Sequence, residues 1–419
     1  MTRNRRGISR RDFLGGLAAT AGLMVVPRHV LGGPGQAAPS ETFACGLVGC
    51  GGQGGEDIQT YIGGAGGHFR VLACCDVDPR RLAAKIKRYG GTAQGYTDFR
   101  RVVERKDLDV VSTATPPHWH ALVSIAAMEA GKDALCEKPM TRFIAEGRAV
   151  VNAAKRYGRV LQLGTGDRFG ARRSTASTLI HKILRSGLLE DCKGVWIRRG
   201  GFKVKEWSGK VNAQPQPVPA GLDWDLYCGP SPLRPYHPHR FGGSHRGYWD
   251  YEGGGLADMG QHYVDPFQWT YGKDDTSPVA IEAHAPPAHP ECCGLWGWVE
   301  MTYADGLTIV FDSGEWGQPY NRKQERRVAL SDLDEESQKK LAALPEPEPL
   351  LTFVEAMRTR KQPGGGPESS HRSATLLHLA NIAIRVGRRI RYDPVKEQIL
   401  GDEEASRLVN PPMRAPWHL

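Results

Sequence analysis

Nothing in the 419-residue chain is long and apolar enough to span a membrane. The apolar run at residues 13–26 covers 14 residues, short of the ~20 that a spanning helix needs, and no other stretch approaches that length. An internal repeat is also absent, which excludes a repeat array. The nine cysteines lack the spacing of a metal site or a disulfide framework. Cys45, Cys74, Cys75 and Cys136 fall in short apolar runs, where cysteine behaves as a small hydrophobe. The pair Cys292-Cys293 has no partner at ligand spacing, so no metal is expected. Surplus charge is missing as well, once its location is known. Six arginines against Asp12 put +5 of the formal +9 into residues 1–37 and leave +4 for the other 382, an ordinary balance that gives no reason to expect nucleic acid.

What is present is globular. With 40% hydrophobic and 24% charged residues the chain is neither disordered nor collagen-like, and its length fits two or three domains. Glycine is in excess, at 51 residues or about 12% against a usual ~7%. Many backbone positions are therefore expected to need positive φ or close approach to a neighbour.

Residues 1–37 combine a basic start, the apolar run, Pro27 and a small-residue stretch ending at Gln36-Ala37-Ala38, the layout of a removable export peptide. Within it SRRDFL, residues 9–14, resembles a twin-arginine signal, because the arginine pair directly precedes the apolar run. An ordinary secretory signal or a basic tail is the plainer alternative. The expectation is passage of the folded protein through the twin-arginine export machinery to the periplasm or the exterior, with no stable membrane insertion after processing.

From residue 43 short apolar runs (FACGLV, FRVLACC, LDVVSTA, DALCE, VLQLG) alternate with helix-like stretches at 79–89, 118–130 and 141–157. This βαβ order predicts a doubly wound parallel sheet of the Rossmann kind over residues 43–165. Residues 166–345 start with a helix-like stretch and a strand, then enter a long Pro/Gly/aromatic loop from 200 to about 248. A helix near 256–271 follows, then strands that include the hairpin WGWVEMTYADGLTIVFDS with Asp305-Gly306 at its turn. An α+β domain with a large open, mostly antiparallel sheet is predicted there. Residues 346–419 are expected to form C-terminal helices and a tail that return to the first domain.

Four constellations carry chemistry. GLVGCGGQGG places Gly49-x-Gly51-x-x-Gly54 between a strand and a helix, and Asp76 ends the next strand 22 residues after Gly54. In such a turn the glycines allow tight bending and backbone approach to a pyrophosphate, and the acid accepts from ribose hydroxyls. Gly49, Gly51, Gly52, Gln53, Gly54 and Asp76 are thus candidate cofactor contacts. A carboxylate at 76 favours NAD over NADP, with Arg80 and Arg81 close enough to weigh against it. STATPPHWHA, residues 112–121, leaves a strand end, which puts Thr115, Pro116 and His120 beside the cofactor; the plainer reading is a turn with His120 on a surface helix. CEKPMT follows another strand end, so that Glu137 borders the cofactor and the Lys138 ammonium projects into the cleft, able to polarise a substrate oxygen. In GGGLADMGQH, Asp258 and His262 stand four apart and share one helix face, with the glycines ahead allowing the helix start to press on a ligand. RPYHPHRFGGSHRGYWDY adds His239, Arg240 and Trp249 as candidate sugar contacts, and Arg168 is a further candidate.

SRRDFL, the glycine-rich turn, TPPHWH, EKP and GGGLADMGQHYVD together resemble the glucose-fructose oxidoreductase / inositol dehydrogenase / MocA family, in particular its secreted branch. The resemblance covers nearly the whole chain after residue 37. It implies a Rossmann domain followed by an open-sheet domain whose face packs in a homodimer or homotetramer, a catalytic Lys138, and catalytic roles for Asp258 and His262. The expected substrate is a small carbohydrate or polyol, oxidised at a carbinol carbon by a tightly bound nicotinamide cofactor. His262 acts as base, Lys138 steadies the developing alkoxide, and Asp258 orients His262 or relays the proton. Two alternatives stand beside it: redox-neutral glycoside cleavage by oxidation and elimination, and a non-catalytic dinucleotide-binding sensor.

Overall fold

The computed structural model describes residues 42–52, 68–189 and 193–419. Residues 1–37, expected to form an export peptide, and the candidate cofactor contacts Gln53 and Gly54 lie outside them. The first sheet comprises β1 (Phe43–Val48), β2 (Phe69–Cys75), β3 (Gln94–Tyr96), β4 (Val110–Thr113), β5 (Asp133–Cys136) and β6 (Leu161–Leu163), in the order β3-β2-β1-β4-β5-β6. Every pairing is parallel. Its strands are apolar on both faces because both are covered. Cys45 and Leu47 of β1 pack with Phe353 and Met357 on one side, whereas Ala44 and Val48 pack with Phe99, Val102 and Trp119 on the other. The strand order reverses between β1 and β4, and at such a switch point the loops beyond the strand ends open a crevice.

The second sheet is mixed, with β7 (Val195–Arg199), β8 (Ala280–His284), β9 (Trp298–Thr302), β10 (Thr308–Asp312), β11 (Ile390–Asp393) and β12 (Gln398–Ile399) in the order β12-β11-β8-β9-β10-β7. All pairs are antiparallel except β10 with β7. The β9–β10 hairpin turns at Asp305-Gly306, where Gly306 takes φ +90°. Ile281, Val299, Met301, Ile309 and Phe311 face helices Gly254–Thr270 and Pro367–Val386, which supply Leu256, Val264, Phe267, Leu376, Leu377 and Leu379. Each such side chain contributes about 1.5–3 kcal/mol by burial. Val195, Ile197, Trp298 and Val310 point to the other face, under Tyr320.

The glycines at the start of helix Gly254–Thr270 serve packing inside the protein, contrary to the expectation that they press on a ligand. A side chain at Gly253 would strike Asn381, and one at Gly255 would strike the carbonyl oxygen of Phe202. The C-terminal segment serves both units: Phe353, Val354 and Met357 join the core beneath β1 and β2, and the tail adds β11 and β12 to the second sheet.

Candidate active site

The glycine-rich turn sits at the switch point, between the ends of β1, β2 and β4. Gly49 has φ +94°, and a Cβ there would lie 2.6 Å from the carbonyl of Ala114. Conformation and space both demand glycine. Among the described residues, a Cβ at Gly51 would meet nothing nearer than an Arg81 guanidinium nitrogen at 3.8 Å, and one at Gly52 would meet nothing within 4 Å, which leaves this backbone room for a ligand on that side. Asp76 is fixed by two backbone donors, Cys50 N–H to Oδ2 at 2.7 Å and Asp78 N–H to Oδ1 at 2.8 Å. Burial raises its pKa, opposed by those donors and by Arg81. Each carboxylate oxygen keeps a lone pair for a ribose hydroxyl. Of the two nearby arginines, Arg80 turns outward onto Asp78 at 3.2 Å while Arg81 lines the cleft. Lys85 donates to the Gly51 carbonyl at 2.9 Å and closes this end.

From here a cleft of about 710 Å³ runs past Thr115 and Pro116 to Glu137 and Lys138. Its size lies in the usual range of ~300–1,000 Å³ for small-molecule sites, and with the bare turn and the fixed acid it fits a dinucleotide. His120 is not a cleft contact but a buried brace: its Nδ1 lies 2.8 Å from the Pro139 carbonyl and its Nε2 2.8 Å from that of Thr115. Burial pushes its pKa down to about 4. It thereby holds the Thr115 and Lys138 loops in mutual register, which corrects its assignment as a cofactor contact and equally the surface-helix alternative. His118 and Trp119 donate to the Tyr227 carbonyl at 2.8 and 3.2 Å and dock the second domain against the first.

At the far end Lys138 Nζ donates to Asp258 Oδ1 at 2.9 Å and to the Asp258 carbonyl at 3.0 Å. Arg246 Nε stands 2.6 Å from the same Oδ1. Burial would lower the Lys138 pKa, but Asp258, Glu137 and Glu252 outweigh it and raise it. Burial would raise that of Asp258, yet Lys138 and Arg246 hold it below the usual range. The pair is therefore an ammonium and a carboxylate, and one of the three Lys138 donors remains for a substrate. Glu137 accepts from the Lys138 backbone N–H at 3.0 Å.

His262 follows one turn after Asp258 but is not oriented by it. Its Nδ1 lies 2.7 Å from Asp167 Oδ2, at the start of helix Asp167–Arg173, which follows β6. Asp258 is already held by two cations, so the expected Asp258–His262 relay gives way to an Asp167–His262 pair. Four other expected substrate residues also prove structural. Arg168 is buried between Asp265 and Asp274, both at 2.8 Å. Arg240 pairs with Glu291 at 2.7 Å and lies over the Tyr248 ring, and His239 meets the Tyr248 hydroxyl at 3.0 Å. Trp249 donates to the His289 carbonyl at 2.9 Å. The residues of this loop that do line the cleft are Phe241, Gly242, Gly243, His245 and Arg246. Arg246 belongs to the basic and aromatic cluster that the loop sequence displays, and Asp167 follows a strand end in GTGD, the position that signals it.

Two family models match the chain. One is described as an oxidoreductase family NAD-binding Rossmann fold, over residues 43–165, and the other as an oxidoreductase family C-terminal alpha/beta domain, over residues 173–419. Among curated relatives, a levoglucosan dehydrogenase of Pseudarthrobacter phenanthrenivorans is 34% identical over 132 residues, 32% of each chain. An inositol 2-dehydrogenase of Salmonella typhimurium is 31% identical over 129 residues, 30% of this chain and 38% of its own. The chain thus matches only about a third of the length of these relatives. A glycosyl hydrolase family 109 protein of Shewanella pealeana is 27% identical over 233 residues, 49% of this chain and 50% of its own. Among solved structures, the WlbA dehydrogenase of Bordetella pertussis, in complex with NADH and UDP-GlcNAcA, is 17% identical, with 84% of this chain and 99% of that one covered at a TM-score of 0.53. At that identity the likeness speaks for the fold alone.

Proposed function

The chain belongs to the GFO/IDH/MocA oxidoreductase family, and we propose on that premise that it moves hydride between a carbinol carbon of a carbohydrate or polyol and a tightly bound nicotinamide dinucleotide. The observation that carries this reading is the Lys138–Asp258 ion pair, 2.9 Å long, at one end of a cleft whose other end is the glycine turn. Gly49, Gly51, Gly52 and Asp76 would hold the dinucleotide, with Thr115, Pro116 and Glu137 along its length. When bound, this group supplies the hydride acceptor.

Lys138 donates its remaining N–H to the substrate oxygen and stabilises negative charge as it develops there. Asp258 keeps the ammonium aimed and is itself kept ionised by Arg246. His262, with Nδ1 pinned by Asp167, accepts the hydroxyl proton at Nε2. The Asp76 carboxylate repels a 2′-phosphate, which favours NAD over NADP even with Arg81 nearby. SRRDFL supports membership of the secreted branch, with export by the twin-arginine route to the periplasm or beyond in the folded, cofactor-loaded state. Assembly as a homodimer or homotetramer through the open sheet completes the reading.

The family 109 relative, aligned over half of each chain, favours a second reading: redox-neutral glycoside cleavage, in which transient oxidation acidifies the neighbouring carbon and the aglycone is eliminated. Incubating purified holoprotein with free sugars and glycosides in deuterated water separates the two. Deuterium beside the oxidised carbon with released aglycone supports cleavage. Reduced nucleotide that only a second carbonyl compound reoxidises supports the oxidoreductase. A nucleotide-free protein inert to every sugar leaves neither.

A further inference from the structure

In the loop expected to contact the sugar, the cleft is lined by Phe241, Gly242, Gly243, His245 and Arg246 and not by His239, Arg240 or Trp249. We propose that residues 241–246 form a strap, contributed by the second domain, that retains the dinucleotide; this rests on the dinucleotide reading above. The segment is anchored at both ends of the cleft and lines it between them.

At the turn end, the Arg81 guanidinium lies over the Phe241 ring at 4.5 Å. A Cβ at Gly51 would lie 3.8 Å from the same guanidinium, so the stack stands beside the backbone of the turn. Phe241 also packs on Tyr227 at 5.1 Å, and the Tyr227 carbonyl is the point where His118 and Trp119 tie the domains together. This anchor is therefore built on the domain contact. At the catalytic end, Arg246 Nε stands 2.6 Å from Asp258 Oδ1 with its guanidinium over Trp207 at 4.7 Å, and His245 Nε2 lies 3.0 Å from the buried Glu252.

Between the anchors stand Gly242, at φ +69°, and Gly243. Neither glycine carries a side chain, and Ser244 turns its hydroxyl back onto the Phe241 carbonyl at 3.2 Å, which leaves the glycine backbone free to lie against an extended ligand. One short segment thus roofs a cleft whose floor is the first domain. Departure of a bound dinucleotide requires the Arg81–Phe241 stack to part. The Arg246–Asp258 contact also links the roof to the ion pair that sets Lys138. This arrangement gives an exported enzyme a physical means of keeping a cofactor that its surroundings do not replenish.

The test is a chase. Wild-type protein loaded with NADH is mixed with excess NAD, and the release rate is read from the loss of bound-NADH fluorescence. Phe241→Ala is expected to release about tenfold faster, and Phe241→Tyr, which keeps the ring, to release at the wild-type rate. Arg81→Lys keeps the charge but loses the flat stacking face, so it too accelerates release, and it serves if Phe241→Ala fails to fold. Equal release rates in wild type and in both ring-breaking and stack-breaking variants overturn the strap while leaving the dinucleotide reading intact. A wild-type protein that binds neither NADH nor NAD overturns that reading itself, and the strap with it.

Discussion

Lys138 and His262, which share the chemistry in the proposed mechanism, pair with two carboxylates in different settings. Asp258 is buried and doubly paired, with its pKa held below the usual carboxylate range by Lys138 and Arg246, so it fixes the ammonium. Asp167 is half exposed and has only to fix a ring. The sequence made Lys138, Asp258 and His262 legible because they lie in short motifs at strand and helix ends. It could not reveal which acid serves which partner: Asp167 and His262 are 95 residues apart, and only the folded chain joins them. Arg168 is the same case: its position beside the cleft motif is visible in the sequence, whereas its partners, the buried Asp265 and the half-buried Asp274, are not. Asp167→Asn is expected to lower kcat about 10²-fold, since an amide does not hold the imidazole tautomer as a carboxylate does. Nucleotide content and Tm should stay at wild-type values, because an exposed ion pair adds little stability. Steady-state kinetics beside a melting curve check this.

At the scale of elements, period and punctuation predicted the parallel sheet, the hairpin at Asp305-Gly306 and helix Gly254–Thr270, because each has apolar residues at its own repeat and turn residues at its ends. The loop from 200 to about 248 has no period to read. Its two 3₁₀ turns, Pro238–Arg240 and Gly242–Gly247, are fixed by tertiary contacts to Arg81, Glu291 and Asp258. Gly49 illustrates the opposite case, a position legible from its motif and enforced by the β4 loop. Gly49→Ala should abolish nucleotide retention and cost at least ~1–3 kcal/mol, read by denaturant unfolding, because it combines positive φ with a backbone clash.

Buried histidines in these elements also set the acid limit of the fold. Burial lowers the pKa of His118, takes that of His120 to about 4 and that of His378 to about 3. The unfolded chain titrates its histidines near 6.5, so below that pH it binds protons the folded chain refuses. Stability is complete above ~6.5 and falls as pH drops, by up to about 2 kcal/mol per histidine at pH ~5. Urea unfolding at pH about 7.5 and about 5 measures the decline, and His378→Gln should reduce it.

For the whole molecule, more than half of the net charge of +9 lies in residues 1–37, and on the proposed export reading that share reports a destination. Replacing Arg10 and Arg11 with lysine should leave the protein in the cytoplasm with its cofactor bound, as cell fractionation would register; undiminished export would remove the twin-arginine reading. On the proposed account the two domains share one cleft, the first to hold the nucleotide and the second to complete the reacting end with Asp258. The most direct test of that account is the nucleotide absorbance of purified holoprotein mixed with a panel of sugars and polyols, wild type beside Lys138→Ala. The account predicts a bound nicotinamide dinucleotide that a sugar or polyol reduces in the wild type, with the rate about 10²–10⁴-fold lower in the variant. Reduction at the same rate in both proteins would contradict it.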